Sequence, residues 1–341
     1  MKKITAFLLV LLMTLGLAAC GSNKTGDDQS GSEGDGSVKV VTTIFPVYDW
    51  TRNIAGADNK AADISMLIDS GVDLHSFQPS AEDIMKISEC DVFIYVGGES
   101  DEWAEDALKE ASNKDMVVVN LMEALGDKAK EEQTVEGMQA EDEHAHEEGE
   151  EHEGEEHEGE EGPEYDEHIW LSLRNASALA DVIADALAKA DEAGAETYKA
   201  NAAAYKEKLS ALDAEYTKAA EEGGTHTLLF GDRFPFRYMT DDYGLDYYAA
   251  FSGCSAETEA SFETIAFLSA KVDELGLKNV MTIEGTDHSI AESIINNTKD
   301  KDQTILTLDS MQSTTAEDVA AGADYLSVMK SNLDVLKQAL K

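Results

Sequence analysis

The chain has 341 residues, enough for two domains, and carries 70 Asp and Glu against 26 Lys and Arg, a formal net charge of -44. A protein that grips nucleic-acid phosphates needs a basic face, so that class is excluded and cations become the fitting cargo.

At the N-terminus Lys2 and Lys3 precede the apolar run Ile4 to Leu17. The run is shorter than the roughly 20 residues a bilayer span needs, and small residues follow it, so residues 1–19 read as a secretory signal. Leu17-Ala18-Ala19-Cys20 has the form of a bacterial lipobox, which makes Cys20 the expected lipidated first residue of the mature chain and its tie to the membrane. Residues 20–37, rich in Gly, Ser and Asp, read as a flexible tether reaching on the order of 20 Å.

A strand-helix alternation then begins. Residues 38–48 read as a β-branched strand ended by Pro46, with a helix from Tyr48 to Ala55. Ala62 to Ile68 reads as a strand, Ser80 to Asp83 as a capping box opening a helix, and Asp91 to Val96 and Met116 to Asn120 as buried strands. Residues 131–167 hold 19 acids and no Lys or Arg, with His144, His146, His152 and His157 among them. Such a run repels itself and cannot be core; it is either a solvated linker or a loose trap for metal, since imidazole is a common zinc ligand and carboxylates concentrate cations.

Residues 173–190 predict an Ala/Leu-rich helix, and from 195 to 222 Tyr198, Ala202, Tyr205, Leu209, Leu212 and Tyr216 recur at helical spacing in one long helix. The pattern restarts with strands at Thr225 to Phe230, Leu245 to Ala250, Asn279 to Ile283 and Thr304 to Leu308, and helices at 259–275, 288–297 and 316–340. The reading is therefore α/β, with two lobes at 38–194 and 223–341, each a parallel sheet covered by helices, bridged by the helix at 195–222. Ligands in such folds bind beyond the carboxyl ends of strands, here in the cleft between lobes.

That rule selects His75 in GVDLHSFQPS, His168 in YDEHIWLS, Asp232 after THTLLF, Glu284 after NVMTI and Asp309 after TILTL. Each alone has a plain structural reading, because loop histidines are usually solvated and strand-end aspartates often cap helices. Converging, they supply the three or four N/O donors a divalent ion requires. Cys90 and Cys254 lack metal-site spacing and read as two buried thiols rather than a disulfide.

VVTTIFPVYDWTRNIAG, GVDLHSFQPSAEDIMKISECDVFIYVGG, YDEHIWLSLRNA and GADYLSVMKSNLDVLKQALK, in this order, resemble the metal-binding lipoproteins that feed zinc or manganese to ABC importers. The resemblance runs from about Val38 to the C-terminus. It implies a rigid two-lobed fold with one divalent metal in the cleft, a membrane permease as partner, a lipid-anchored extracytoplasmic location, a monomer, and no chemistry on the cargo. His75 and His168 match the family's first two ligands and Asp309 its last. The third departs: where the family has a His or Glu before an aromatic cluster, this chain reads FGDRFPFRYM, and Asp232 is the nearest donor, with Glu284 and His288 as alternatives. Relatives that bind zinc carry a His-rich acidic loop before the second histidine, which moves the acidic run here towards auxiliary metal capture. Successive histidines in its EEHEG repeat would lie about 140° apart on a helix, so its sites are weak and adaptable.

Zinc (Zn2+) is the expected cargo on the strength of that loop and of its tighter binding than manganese; an oxygen-rich set of two histidines and two carboxylates keeps Mn2+, or iron, as the alternative. A metal-dependent hydrolase would need a placed general base. The nearest motif, His152-Glu153-Gly154-Glu155-Glu156-His157, has one residue too many for H-E-x-x-H. A surface adhesin is the other competing class, though no adhesive module is visible.

Overall fold

A computed structural model describes residues 37–56, 61–139, 164–255 and 259–341. The proposed signal, Cys20 and His144, His146, His152 and His157 lie outside them.

The first lobe opens with β1 (Val38–Thr42), whose VKVVT sequence is buried at four of five positions, as a strand covered on both faces requires. Helix α1 (Phe45–Ala55) follows almost at once. Pro46 does not end a strand as expected; it sits in the first turn of α1, where its missing N–H would have had no helical partner anyway. Next come β2 (Ala62–Met66), α2 (Ala81–Glu89) and β3 (Val92–Tyr95). The capping box at α2 is formed: Ser80 Oγ accepts from Asp83 N at 3.2 Å and Asp83 Oδ2 accepts from Ser80 N at 2.9 Å. Short helices α3 (Trp103–Lys109) and α4 (Leu121–Leu125), which too few turns of periodicity announce, flank β4 (Val117–Asn120).

After α5 (Leu173–Ala190) the chain enters α6 (Ala195–Glu222), 28 residues and so about 42 Å long. Its six-residue apolar stripe, Tyr198 to Tyr216, is buried throughout. Asn201 Nδ2 donates to the Ile54 carbonyl at 3.0 Å, and Tyr216 donates to the Met329 carbonyl at 2.6 Å. One helix is thus fastened to both lobes.

The second lobe runs β5 (Thr227–Phe234), α7 (Arg237–Tyr243), β6 (Asp246–Ser252), α8 (Phe262–Leu275), β7 (Asn279–Ile283), α9 (Ser289–Asn297), β8 (Thr304–Leu308), α10 (Ala316–Ala320) and α11 (Tyr325–Ala339). The single helix expected over 316–340 is two, because Asp324 accepts from Ser327 N and caps a new start. The long strand β5 also passes beyond its expected end, which puts Asp232 inside it rather than after it.

Both sheets are four-stranded and parallel, in the orders β2-β1-β3-β4 and β6-β5-β7-β8. The fold class is the one read from the sequence. In each sheet the chain turns back across its first strand, so β1/β3 and β5/β7 are the switch points where crevices open at the carboxyl ends. One apolar core includes Trp50 and Phe93 of the first lobe, Tyr205 of α6 and Tyr325 and Leu333 of the second. Trp50 and Tyr325 meet edge to face at 5.3 Å. A core continuous through both lobes leaves little freedom for a wide hinge.

Candidate metal centre

His75 stands in a one-turn 3₁₀ helix, Leu74–Ser76, on the loop after β2. Asp73 caps that turn, Oδ1 accepting from His75 N at 3.1 Å, while its other oxygen accepts from Arg233 Nη2 of the second lobe at 2.8 Å. Burial works against ionising Asp73, and the Arg233 guanidinium outweighs it and holds the carboxyl below its usual range.

His168 is fully buried, just before the 3₁₀ turn Ile169–Leu171. Asp166 Oδ1 accepts from both the backbone N and the Nδ1 of His168, each at 2.9 Å, so a single carboxylate fixes the turn and the ring together. The next residues are held by the second lobe: Trp170 Nε1 donates to the Ser310 carbonyl at 2.8 Å, and Tyr325 donates to the Trp170 carbonyl at 2.6 Å.

The two rings meet. His75 Nε2 and His168 Nε2 are 3.2 Å apart, and Gln312 Oε1 lies 3.3 Å from His168 Nε2. Behind them, His75 Nδ1 faces Ser100 Oγ at 2.7 Å and the buried Glu167 Oε2 at 3.4 Å. The Asp166 carboxylate can only accept, so His168 Nδ1 carries a proton, and once Nε2 gives up any proton of its own its lone pair is free for a cation shared with His75. Nitrogens each about 2.0–2.1 Å from one tetrahedral ion lie about 3.3–3.4 Å apart, close to the spacing seen. Rear ring nitrogens held by carboxylate or hydroxyl are the usual support of metal-binding histidines. The pair therefore fits a shared divalent cation.

Charge around the pair acts in the same sense. Burial opposes a charge on His168, yet Asp166, Glu167 and Gln312 together raise it above its ordinary value, so cations are favoured here. Glu167 feels the same burial, but hydrogen bonds from His75 and Ser100 hold its carboxyl below the usual range. Gly97 and Gly98, with φ of 90° and 85°, let the chain pass tightly by: a Cβ at Gly98 would stand 2.3 Å from Glu167 Oε1.

The other expected donors are placed differently. Asp232, 7% exposed, accepts from Ile283 N at 3.2 Å, Thr286 Oγ1 at 2.9 Å and Arg233 N at 2.9 Å, so its oxygens bind its own lobe. It lines a neighbouring cavity with His288, whose Nδ1 lies 3.3 Å from Thr282 Oγ1. Glu284 accepts from Ser310 N at 2.7 Å, Ser310 Oγ at 2.6 Å and Gln312 N at 3.3 Å, shaping the turn that presents Gln312 to His168. Burial, with Asp309 nearby, raises its carboxyl. Asp309 accepts from Met311 N at 2.8 Å. Among the described residues, the group of His, Cys, Asp or Glu atoms close enough to share a metal is His75, His168 and Cys254, all within 4.8 Å. Cys254 is free, as expected, but not remote. Sequence spacing missed it because its neighbours arrive from other segments; the available signal was its place two residues past the end of β6.

The family described as zinc-uptake complex component A, periplasmic (ZnuA), matches residues 40–339. The chain belongs to this family. It is 34% identical over 340 residues to the zinc-binding lipoprotein AdcA of Streptococcus pneumoniae, covering 99% of this chain and 61% of that protein. It is 29% identical over 339 residues to the high-affinity zinc uptake system protein ZnuA of Bacillus subtilis, covering 99% and 98%. The chain thus spans about three fifths of the streptococcal relative and nearly all of the bacillar one. Among solved structures, the Zn(II)-bound ZnuA-like domain of S. pneumoniae AdcA superposes with a TM-score of 0.67 at 29% identity, covering 89% of this chain and 99% of that one. The laminin-binding protein Lmb of Streptococcus agalactiae, described as bifunctional with adhesin and metal transporting activity, gives 0.69 at 25%, covering 89% and 100%.

Proposed function

We propose that this chain is an extracytoplasmic zinc receptor, which captures Zn2+ between His75 and His168 and hands it to the membrane permease of an ABC importer. The observation that carries the reading is the 3.2 Å approach of the two Nε2 atoms, each with its other ring nitrogen held from behind. Zinc, rather than manganese or iron, is the cargo favoured by the zinc-binding and zinc-uptake descriptions of the relatives. Capture without turnover follows the description of the matching family as a zinc-uptake component. Asp309, by the family pattern, or Glu284, which borders the same turn, supplies an oxygen donor once the 309–312 segment shifts. Cys20 anchors the protein to the outer face of the membrane, and the receptor works as a monomer.

The His-rich acidic segment gathers metal for this site. Its flanks support the role: Gln139 N donates to the Ala250 carbonyl at 2.9 Å in the second lobe, and Asp166 N donates to the Lys130 carbonyl at 2.8 Å just before His168. Weak sites there must order their own backbone as they form, which subtracts from their affinity.

Zinc titration of the full chain against a competing chelator tests both statements. His75→Ala and His168→Ala are each expected to weaken the tight site by at least about 100-fold, since neutral imidazoles are strong zinc donors. Deleting residues 140–163 is expected to remove weak sites and leave the tight one. Unchanged tight binding in both histidine variants refutes the site, and its loss on deletion refutes the division of labour.

A further inference from the structure

We infer that Cys254 is the third metal ligand of this site, a thiolate donor from the second lobe that completes a His75–His168–Cys254 set. The inference rests on the zinc-receptor reading and assigns it a donor that the FGDRFPFRYM stretch does not supply.

Three observations converge on it. Ligand atoms of His75, His168 and Cys254 lie within 4.8 Å of one another, with His75 and His168 presented by the first-lobe side of the cleft and Cys254 by the turn after β6. The backbone of that turn is pressed onto the ligand ring: a Cβ at Gly253 would stand 2.8 Å from His168 Cε1 and 3.0 Å from its Nδ1, so a side chain there would push Cys254 away. Arg233 then ties the two ligand-bearing turns together, Nη2 donating to Asp73 at 2.8 Å and Nη1 to the Ser255 carbonyl at 3.4 Å. Asp73 caps the turn of His75, and Ser255 follows Cys254 directly. A tetrahedral ion about 2.3 Å from sulfur and 2.0–2.1 Å from nitrogen sets S···N edges near 3.5–3.6 Å, a closure of about 1.3 Å at most from the present limit of 4.8 Å.

Binding changes no oxidation state. The Cys254 Sγ–H bond breaks, its proton leaves to water, and the sulfur pair forms the bond to the ion. A thiolate is a soft donor, so the set selects zinc over manganese more strongly than a third oxygen would.

The test uses the full chain, stripped of metal and given one equivalent of Co2+ in place of Zn2+. The unaltered chain and Cys90→Ser are expected to show the near-ultraviolet thiolate-to-cobalt charge-transfer band, and Cys254→Ser to lack it. Cys254→Ser is also expected to weaken zinc binding about 10- to 100-fold, and Cys254→Asp to narrow the ratio of zinc to manganese affinity. Should the variants fail to fold, the unaltered chain still answers: a missing band, or alkylation of Cys254 no slower with one equivalent of zinc, overturns the assignment. If His75→Ala and His168→Ala lose tight binding while Cys254→Ser keeps band and affinity, only the third ligand is wrong. If all three bind as before, the receptor site falls with it.

Discussion

Gly253→Ala places one methyl group where the structure has no room for it. The new Cβ would sit 2.8 Å from His168 Cε1 and 3.0 Å from the Phe234 carbonyl oxygen. Carbon atoms in contact rest at about 3.5–4.0 Å, so at least about 0.7 Å must be found. The ring cannot retreat freely, because His168 is fully buried, its Nδ1 is bound to Asp166 at 2.9 Å and Trp170 packs at 5.2 Å between centroids. Either the 253–255 turn lifts or the ring tilts. Both exceed the roughly 0.2 Å within which metal-ligand distances are held. Overpacking of this kind costs about 1–3 kcal/mol of fold stability. Loss of ligand placement costs about 10- to 100-fold in metal affinity. Chelator competition reads the affinity, and urea unfolding with and without zinc reads the stability. A variant within twofold of the parent in affinity, with unchanged apo stability, would refute the claim that the Gly253 backbone is seated against a ligand.

Asp101 offers a pH test. Burial, partly offset by hydrogen bonds from Gly97 N and Val96 N, pushes its carboxyl up to about 7 from an ordinary 3.8. Because the folded value is raised, the favourable contribution is full below about pH 3.8 and is lost as pH rises through about 7. Between pH 5 and 8 the loss amounts to about 2–3 kcal/mol. Asp101→Asn is therefore expected to gain on the parent by that amount over this interval in urea unfolding of metal-free protein; parallel pH profiles for the two would contradict the assignment. For the oxygen donor, Glu284→Gln and Asp309→Asn are to be compared with Asp232→Asn by zinc titration. One of the first two is expected to lose at least about 10-fold, while Asp232→Asn, whose oxygens bind Ile283 N and Thr286, is expected to lower stability with little effect on affinity. A larger affinity loss at Asp232 than at either other position would restore it as a ligand.

The sequence disclosed the fold well where periodicity is long: the six apolar positions of α6 and the β-branched strands of both sheets repeat often enough to be read. It failed where elements are a turn or two long, as at α4 and α7, and where a cap rather than a breaker ends a helix, as at Asp324. At the site, His75 and His168 were legible because each stands in a distinctive local segment, GVDLHSF and DEHIWLS. Cys254 was not. Its nearest charged and metal-binding neighbours, Glu132, Asp166, Glu167 and the two histidines, come from segments 86 or more residues away, and only the fold brings them to it.

The FGDRFPFRYM departure takes on a different meaning once Arg233 is placed. A histidine or glutamate in that segment would donate a ligand atom; Arg233 carries a positive charge and donates hydrogen bonds instead. It reaches the cap of the His75 turn on one side and the carbonyl beside Cys254 on the other. Arg233 and Asp73 are each 22% exposed at the side chain, so water screens the pair only in part, and its value lies in position more than in energy. The guanidinium is planar and always charged, so it holds the two turns in register without competing for the metal. The same strand turns Asp232 inward to Ile283 N and Thr286, which fixes β5 against β7 and so fixes where Arg233 emerges. The stretch thus braces the ligand-bearing turns around it, and on the assignment inferred above the third donor comes from one strand along, the turn after β6.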